Sequence, residues 1–193
     1  MRIRFVKHAI PLAAGLALAL GAMAPMAPLA QAAKKGGILK YVVPAEPPSF
    51  DGHRETTFAL IHPIAPFYSV LIRVNPDNPS SPTDFVCDLC TEMPKPSADN
   101  SYVFKLRKGV KFSDGSSLTA HDVVATFKKI IFPAAGVASA RKAFYVMVDS
   151  VTATDDHTVK FKLKYPSGAF IPALANPYNF IYAKKILDKD MHW

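Results

Sequence analysis

The sequence predicts a mixed α/β fold, on three observations. Tyr102, Phe104 and Leu106 alternate with Val103, Lys105 and Arg107, the period-two pattern of a half-buried strand. Val123, Phe127, Ile130 and Ile131 fall at i, i+4, i+7 and i+8, one apolar stripe of a helix. Val159, Phe161 and Leu163 alternate with Lys160, Lys162 and Lys164, a second strand whose lysine face is solvated.

The elements follow in chain order. Arg2, Arg4 and Lys7 precede an almost wholly apolar run over residues 9–24, and Ala30-Gln31-Ala32 is a small-x-small site with the cut before Ala33. This is the pattern of a Sec-type signal peptide over residues 1–32. Gly15, Gly21, Pro25 and Pro28 interrupt the run, which argues against a membrane anchor, and no cysteine lies near the cut for lipid attachment. Residues 38–43 (ILKYVV) read as a strand that Pro44 ends, and residues 46–52 (EPPSFDG) as a turn. In residues 57–74, Pro63 and Pro66 split the helical pattern, so a helix is expected before Pro63 and a second starting at Pro66. The aromatics Phe67 and Tyr68 are expected in the core. Residues 75–82 are a loop dense in Pro, Asn and Ser.

The run over residues 102–131 combines strand, turns and helix. Gly109 and Asp114-Gly115 punctuate it, with residues 110–112 as a short strand between. Thr119 opens the helix, with Asp122 three residues later as the acid of a capping box. Phe132-Pro133 stops it. Residues 148–164 form a hairpin turning at Asp155-Asp156-His157, with His157 exposed at the tip. Ser167 is the N-cap of a helix over residues 168–175, Asn176-Pro177 breaks it, residues 179–182 read as a strand, and residues 183–190 as a short helix.

Charge and cysteines narrow the function classes. The net charge is +8. Removing the leader takes three of the 23 basic residues and none of the 15 acidic ones, leaving +5. The lysines are dispersed, with no Arg-rich helix or aromatic–basic interleaving, so nucleic acid is not an expected partner. Cys87 and Cys90 are the two cysteines. In an exported chain they read as a disulfide, with free thiols as the alternative. A redox role lacks its helix N-terminus, and a zinc site lacks two further ligands. No metal and no cofactor are expected. No Ser elbow, paired His ligands or phosphate-cradling glycine loop suggests an enzyme.

The segment KLRKGVKFSDGSSLTAHDVV resembles the signature of the family 5 extracellular solute-binding proteins: a strand ending in LRxGVKF, then DG, then LTAxDV, all matched here. Gly36-Gly37 before the first strand and the Phe50-Asp51-Gly52 turn, in place of the family's Leu-Asp-Pro-like triplet, resemble it too. The resemblance implies the N-terminal part of a two-lobed, type II periplasmic-binding-protein-like fold with an extra domain. Residues 33–54 would be the first strand and turn of lobe I, 55–178 the extra α/β domain, and 179–193 the start of the return to lobe I. It implies a periplasmic component of an ABC importer, taking a small, peptide-like solute, with inner-membrane permease subunits as partners and a monomeric state at full length. Glu46, Arg141 and Tyr145 become ligand-contact candidates. Because the resemblance reaches only the family's N-terminal portion, before its Gly-x-Gly-Pro motif and second lobe, the 193-residue chain is expected to bind solute poorly by itself. A truncated interaction domain without ligand binding, or an exported enzyme, are the alternative readings.

Overall fold

The computed structural model describes residues 36–38, 40–43 and 45–190. The chain divides into two units, residues 1–40 and 41–193, and every helix and strand described belongs to the second. The expected signal peptide lies outside the described residues.

α1 (Phe58–Ile64) carries Pro63 in its last turn, and Pro66 starts a 3₁₀ turn, Ala65–Phe67. β1 (Ile72–Val74) pairs antiparallel with β2 (Phe85–Cys87) across the Pro/Asn-rich loop. β3 (Ser101–Lys105), β4 (Val148–Asp155) and β5 (Thr158–Leu163) make an antiparallel sheet in the order β3-β5-β4. α2 (Ala120–Ile131) lies across it, and short helices α3 (Phe170–Leu174) and α4 (Lys184–Lys189) follow.

The alternation read from sequence sets which face is covered. Phe104, Val159, Phe161 and Leu163 are buried against α2's Val123, Phe127, Ile130 and Ile131, while Lys160 and Lys162 flank Asp99 on the outer face at 3.4 and 3.3 Å. The core rings meet edge-on, Phe127 to Phe161 at 5.1 Å and Phe104 to Phe161 at 5.7 Å between centroids, the arrangement ring quadrupoles favour. A second, smaller core gathers α1's Leu60, Ile61 and Ile64 with Val70, Phe180, Tyr182 and Leu187. α1 thus packs with the segment around residues 180–187 rather than with the sheet.

The turns hold as expected: Gly109 and Gly115 take φ of +76° and +83°, where a side chain would be strained. The capping box also forms, with the acid as its stronger half. The Thr119 amide and hydroxyl both donate to Asp122 Oδ2, at 2.8 and 2.9 Å, and the Asp122 amide reaches the Thr119 carbonyl at 3.1 Å.

Several expectations are corrected. The described residues of 38–43 form no strand, and Ile38 and Val42 are almost fully exposed; a strand persists only with a ladder partner, and none of the described strands pairs with it. Residues 110–112 contribute one bridge, Lys111 to Ser117, instead of a strand. Residues 179–182 are irregular because their amides are satisfied elsewhere, Ile181 by the Ser69 carbonyl at 2.9 Å and Tyr182 by Thr126 Oγ1 at 3.0 Å. The helix after Ser167 is shorter than expected, and Ala169 is its N-cap. Phe67 and Tyr68 are exposed, not core, and His157 is half-buried. The hairpin tip is docked: Asp156 and His157 accept the Ala120 and Leu106 amides, each at 2.8 Å.

Candidate functional site

The Pro-rich arm over residues 45–50 carries Glu46, which is exposed, and the turn after it is anchored by a set of buried polar contacts. Asp51's carbonyl accepts the amides of Arg54 and Glu55 at 3.2 and 3.1 Å, closing the turn. Its Oδ1 accepts the His53 amide at 2.9 Å. Its Oδ2 accepts from Lys129 Nζ of α2 at 2.8 Å, an ion pair with side chains 3% and 0% exposed. Gly52 donates to the Tyr182 hydroxyl at 2.9 Å. A Cβ at Gly52 would lie 2.4 Å from the Phe180 ring, so the absence of a side chain is what lets this turn press against the second core.

Arg141 and His53 complete the seat. The Arg141 guanidinium donates to the carbonyls of Gly52 and Glu55, the latter at 2.7 Å. It also lies 4.4 Å over the Tyr178 ring, a cation–π arrangement. His53 is buried with its Nε2 2.8 Å from the Phe180 carbonyl. Burial, then the neighbouring Lys129 ammonium, lower its pKa from 6.5 to about 3, so the ring is neutral at ordinary pH and Nε2–H donates.

α2 presents a second buried face, polar instead of apolar. Asp122, Thr126 and Lys129 fall at i, i+4 and i+7 and are all buried. Asp122 Oδ1 accepts the Lys184 amide at 2.7 Å. Thr126 Oγ1 accepts the Tyr182 amide at 3.0 Å and donates to its carbonyl at 3.3 Å. Lys129 takes Asp51 and stands 5.6 Å from the centre of the Tyr182 ring.

Of the residues singled out from sequence, Glu46 stays at the surface. Arg141 and Tyr145, expected to touch ligand, are 3% and 1% exposed, and their polar atoms serve the fold. The Tyr145 hydroxyl donates to the Ala173 carbonyl and accepts from Asn179 Nδ2, both at 2.8 Å, and burial raises its pKa. The stacked, buried Arg141 positions the turn from behind. Cys87 and Cys90 are bonded to each other. Lys129 and Thr126 were not singled out. Their signal was a polar i, i+3 pair that continues Asp122 at i, i+4 and i+7 along one face of the helix.

A groove of about 400 Å³ opens between Phe67–Tyr68, the Val110–Asp114 turn and α4, walled by Leu118, Ile181 and Ile186. It is mostly apolar, within the size range of small-ligand sites. Among the described residues, no cluster of His, Cys, Asp or Glu is arranged to hold a metal, and no helix is long and apolar enough to cross a membrane.

The family model for bacterial extracellular solute-binding proteins, family 5 Middle, matches residues 84–192. The chain is 31% identical over 111 residues to the probable D,D-dipeptide-binding periplasmic protein DdpA of Escherichia coli (strain K12), covering 58% of this chain and 21% of that protein. It superposes on the oligopeptide-binding protein AppA from Bacillus subtilis in complex with a nonapeptide with a TM-score of 0.64 and 31% identity, over 75% of this chain and 27% of AppA. A binding protein from A. tumefacien R10, MoaA in complex with mannopinic acid, gives 0.62 and 28%, over 72% and 28%. The chain therefore spans between about a fifth and somewhat over a quarter of these relatives' lengths.

Proposed function

This chain belongs to the family 5 bacterial extracellular solute-binding proteins, and from that premise we propose that it serves as the solute-binding component of an ABC importer, capturing peptides or peptide-like solutes. The observation that carries the reading is its likeness to peptide-bound AppA, at 31% identity over three quarters of this chain. Members of the family are binding proteins, so capture without chemistry is the expected activity. In this reading residues 1–32 direct export to the periplasm and are removed, permease subunits of the inner membrane receive the solute, and Glu46 is the contact on the described arm. Arg141 holds the turn that follows that arm from the interior, through the carbonyls of Gly52 and Glu55.

The test is uptake. Deleting the encoding gene and following labelled di-, tri- and nonapeptides should abolish accumulation of at least one. Unchanged peptide uptake with loss of a sugar–amino acid conjugate such as mannopinic acid would move the solute class, and unchanged uptake of all would overturn the reading.

A further inference from the structure

α2 faces two ways. Its apolar stripe lies on the sheet, and its polar stripe meets two segments far apart in sequence, residues 51–55 and 182–184. One of the stripe residues is a lysine with no exposed surface, paired at 2.8 Å with an aspartate 3% exposed. Desolvating two charges is costly, and an apolar pair of similar volume fills such a space as well or better. Packing alone therefore does not account for the pair. What it supplies is direction: Asp51 has one place to be, set by Lys129 on one oxygen and by its own turn, through the His53 amide, on the other. Thr126 and Asp122 impose the same definition on residues 182–184. Asp122 and Lys129 stand about 10 Å apart along one rigid helix, and Lys129 and Tyr182 adjoin, so the two segments are fixed against each other.

We infer that Asp122, Thr126 and Lys129 form a positioning device: α2 sets the relative placement of residues 51–55 and 182–184, and Lys129, through Asp51, aims the arm that carries Glu46. The link to solute rests on the proposed function; the placement itself does not.

Amide hydrogen exchange on the 193-residue chain tests it. The double variant Lys129→Met with Asp51→Asn removes both charges of the pair while keeping an oxygen acceptor for the His53 amide, so it decides the matter even where Lys129→Met alone fails to fold. The expected result is at least tenfold faster exchange at Gly52, His53 and Glu55 with unchanged protection in β3 and β5, and restored protection in Lys129→Arg. Unchanged exchange at residues 52–55, or an increase shared equally by β3 and β5, would overturn it, since the first means that the pair does not hold the turn and the second that its loss opens the whole fold instead of this segment. A nitroxide on Glu46→Cys, with the native cysteines bonded to each other, should give a narrower spectrum in the double variant; an identical spectrum would also overturn it. Local loosening in a chain shown to take no part in solute uptake would refute the proposed function and leave the positioning device standing.

Discussion

Replacing Asp122 with alanine removes three bonds at once, and the structure allows the cost to be divided. The Thr119 amide and hydroxyl lose their acceptor, which is the loss of a helix cap, about 1 kcal/mol. The Lys184 amide, held at 2.7 Å in a part-buried position, is left without its partner, at about 1–3 kcal/mol. The sum is about 3 kcal/mol, or roughly 6–12 °C in melting temperature for a chain of this size. A second variant isolates the tertiary part. Lys184 is the first residue of α4, and Ala183 before it sits at φ −65°, ψ 128°, a conformation that proline tolerates in its neighbour. Lys184→Pro therefore deletes the amide donor without breaking α4. It also removes the exposed Lys184–Asp188 pair, which is worth only a few tenths of a kcal/mol. Urea denaturation of the wild type, both single variants and the double variant completes a cycle, and a coupling of about 1–2 kcal/mol is expected between positions 122 and 184. A coupling below about 0.5 kcal/mol would refute the claim that the capping carboxylate also ties α4 to α2.

Gly52→Ala places a methyl group 2.4 Å from the Phe180 ring and should destabilise by about 1–3 kcal/mol; a neutral result in thermal melting would show that the turn can lift away at no cost. Reducing the Cys87–Cys90 bond, which closes a loop of only two intervening residues, should lower stability by no more than about 2 kcal/mol, because Asp88 also holds the Val70 amide at 2.9 Å and Arg107 Nε at 2.7 Å; melting with and without reductant checks this. His53, with its pKa lowered from 6.5 to about 3, binds fewer protons folded than unfolded. Its contribution is therefore full above pH 6.5 and is lost as pH falls from there toward 3, with an upper limit of about 5 kcal/mol. His53→Asn should flatten urea midpoints between pH 4.5 and 6.5, and a slope identical to wild type would place its origin elsewhere. Asp99 and Asp114, held low chiefly by hydrogen bonds from serines and lysines, add their loss only at more acid pH, below the ordinary carboxylate range.

The parts of the fold legible in sequence are those whose cause is local. The β4–β5 hairpin, the apolar stripe of α2, the Thr119–Asp122 cap and the two glycine turns follow from neighbours within a few residues, and each formed as the pattern implied. Residues 38–43 and 179–182 have strand composition, but a strand is a relation between two segments, and the partner decides it. Phe67 shows the same limit: an aromatic in an apolar run does not state which side of the run is covered.

By itself, the sequence determined the mixed α/β class, the order of strand, turn and capped helix, the cysteine pair and the family. The class and the order of elements rest on periodicity, capping chemistry and spacing, which act along the chain, and the family rests on the resemblance of residues 105–124 to its signature. Only the tertiary structure decided that Arg141 and Tyr145 face inward, that Gly52 must lack a side chain, and that Lys129 is buried. The physical reason is that a charge's place depends on its partner, and the partner of Lys129 stands 78 residues away. A lysine on a helix reads as solvated until an aspartate from a distant turn is brought to meet it.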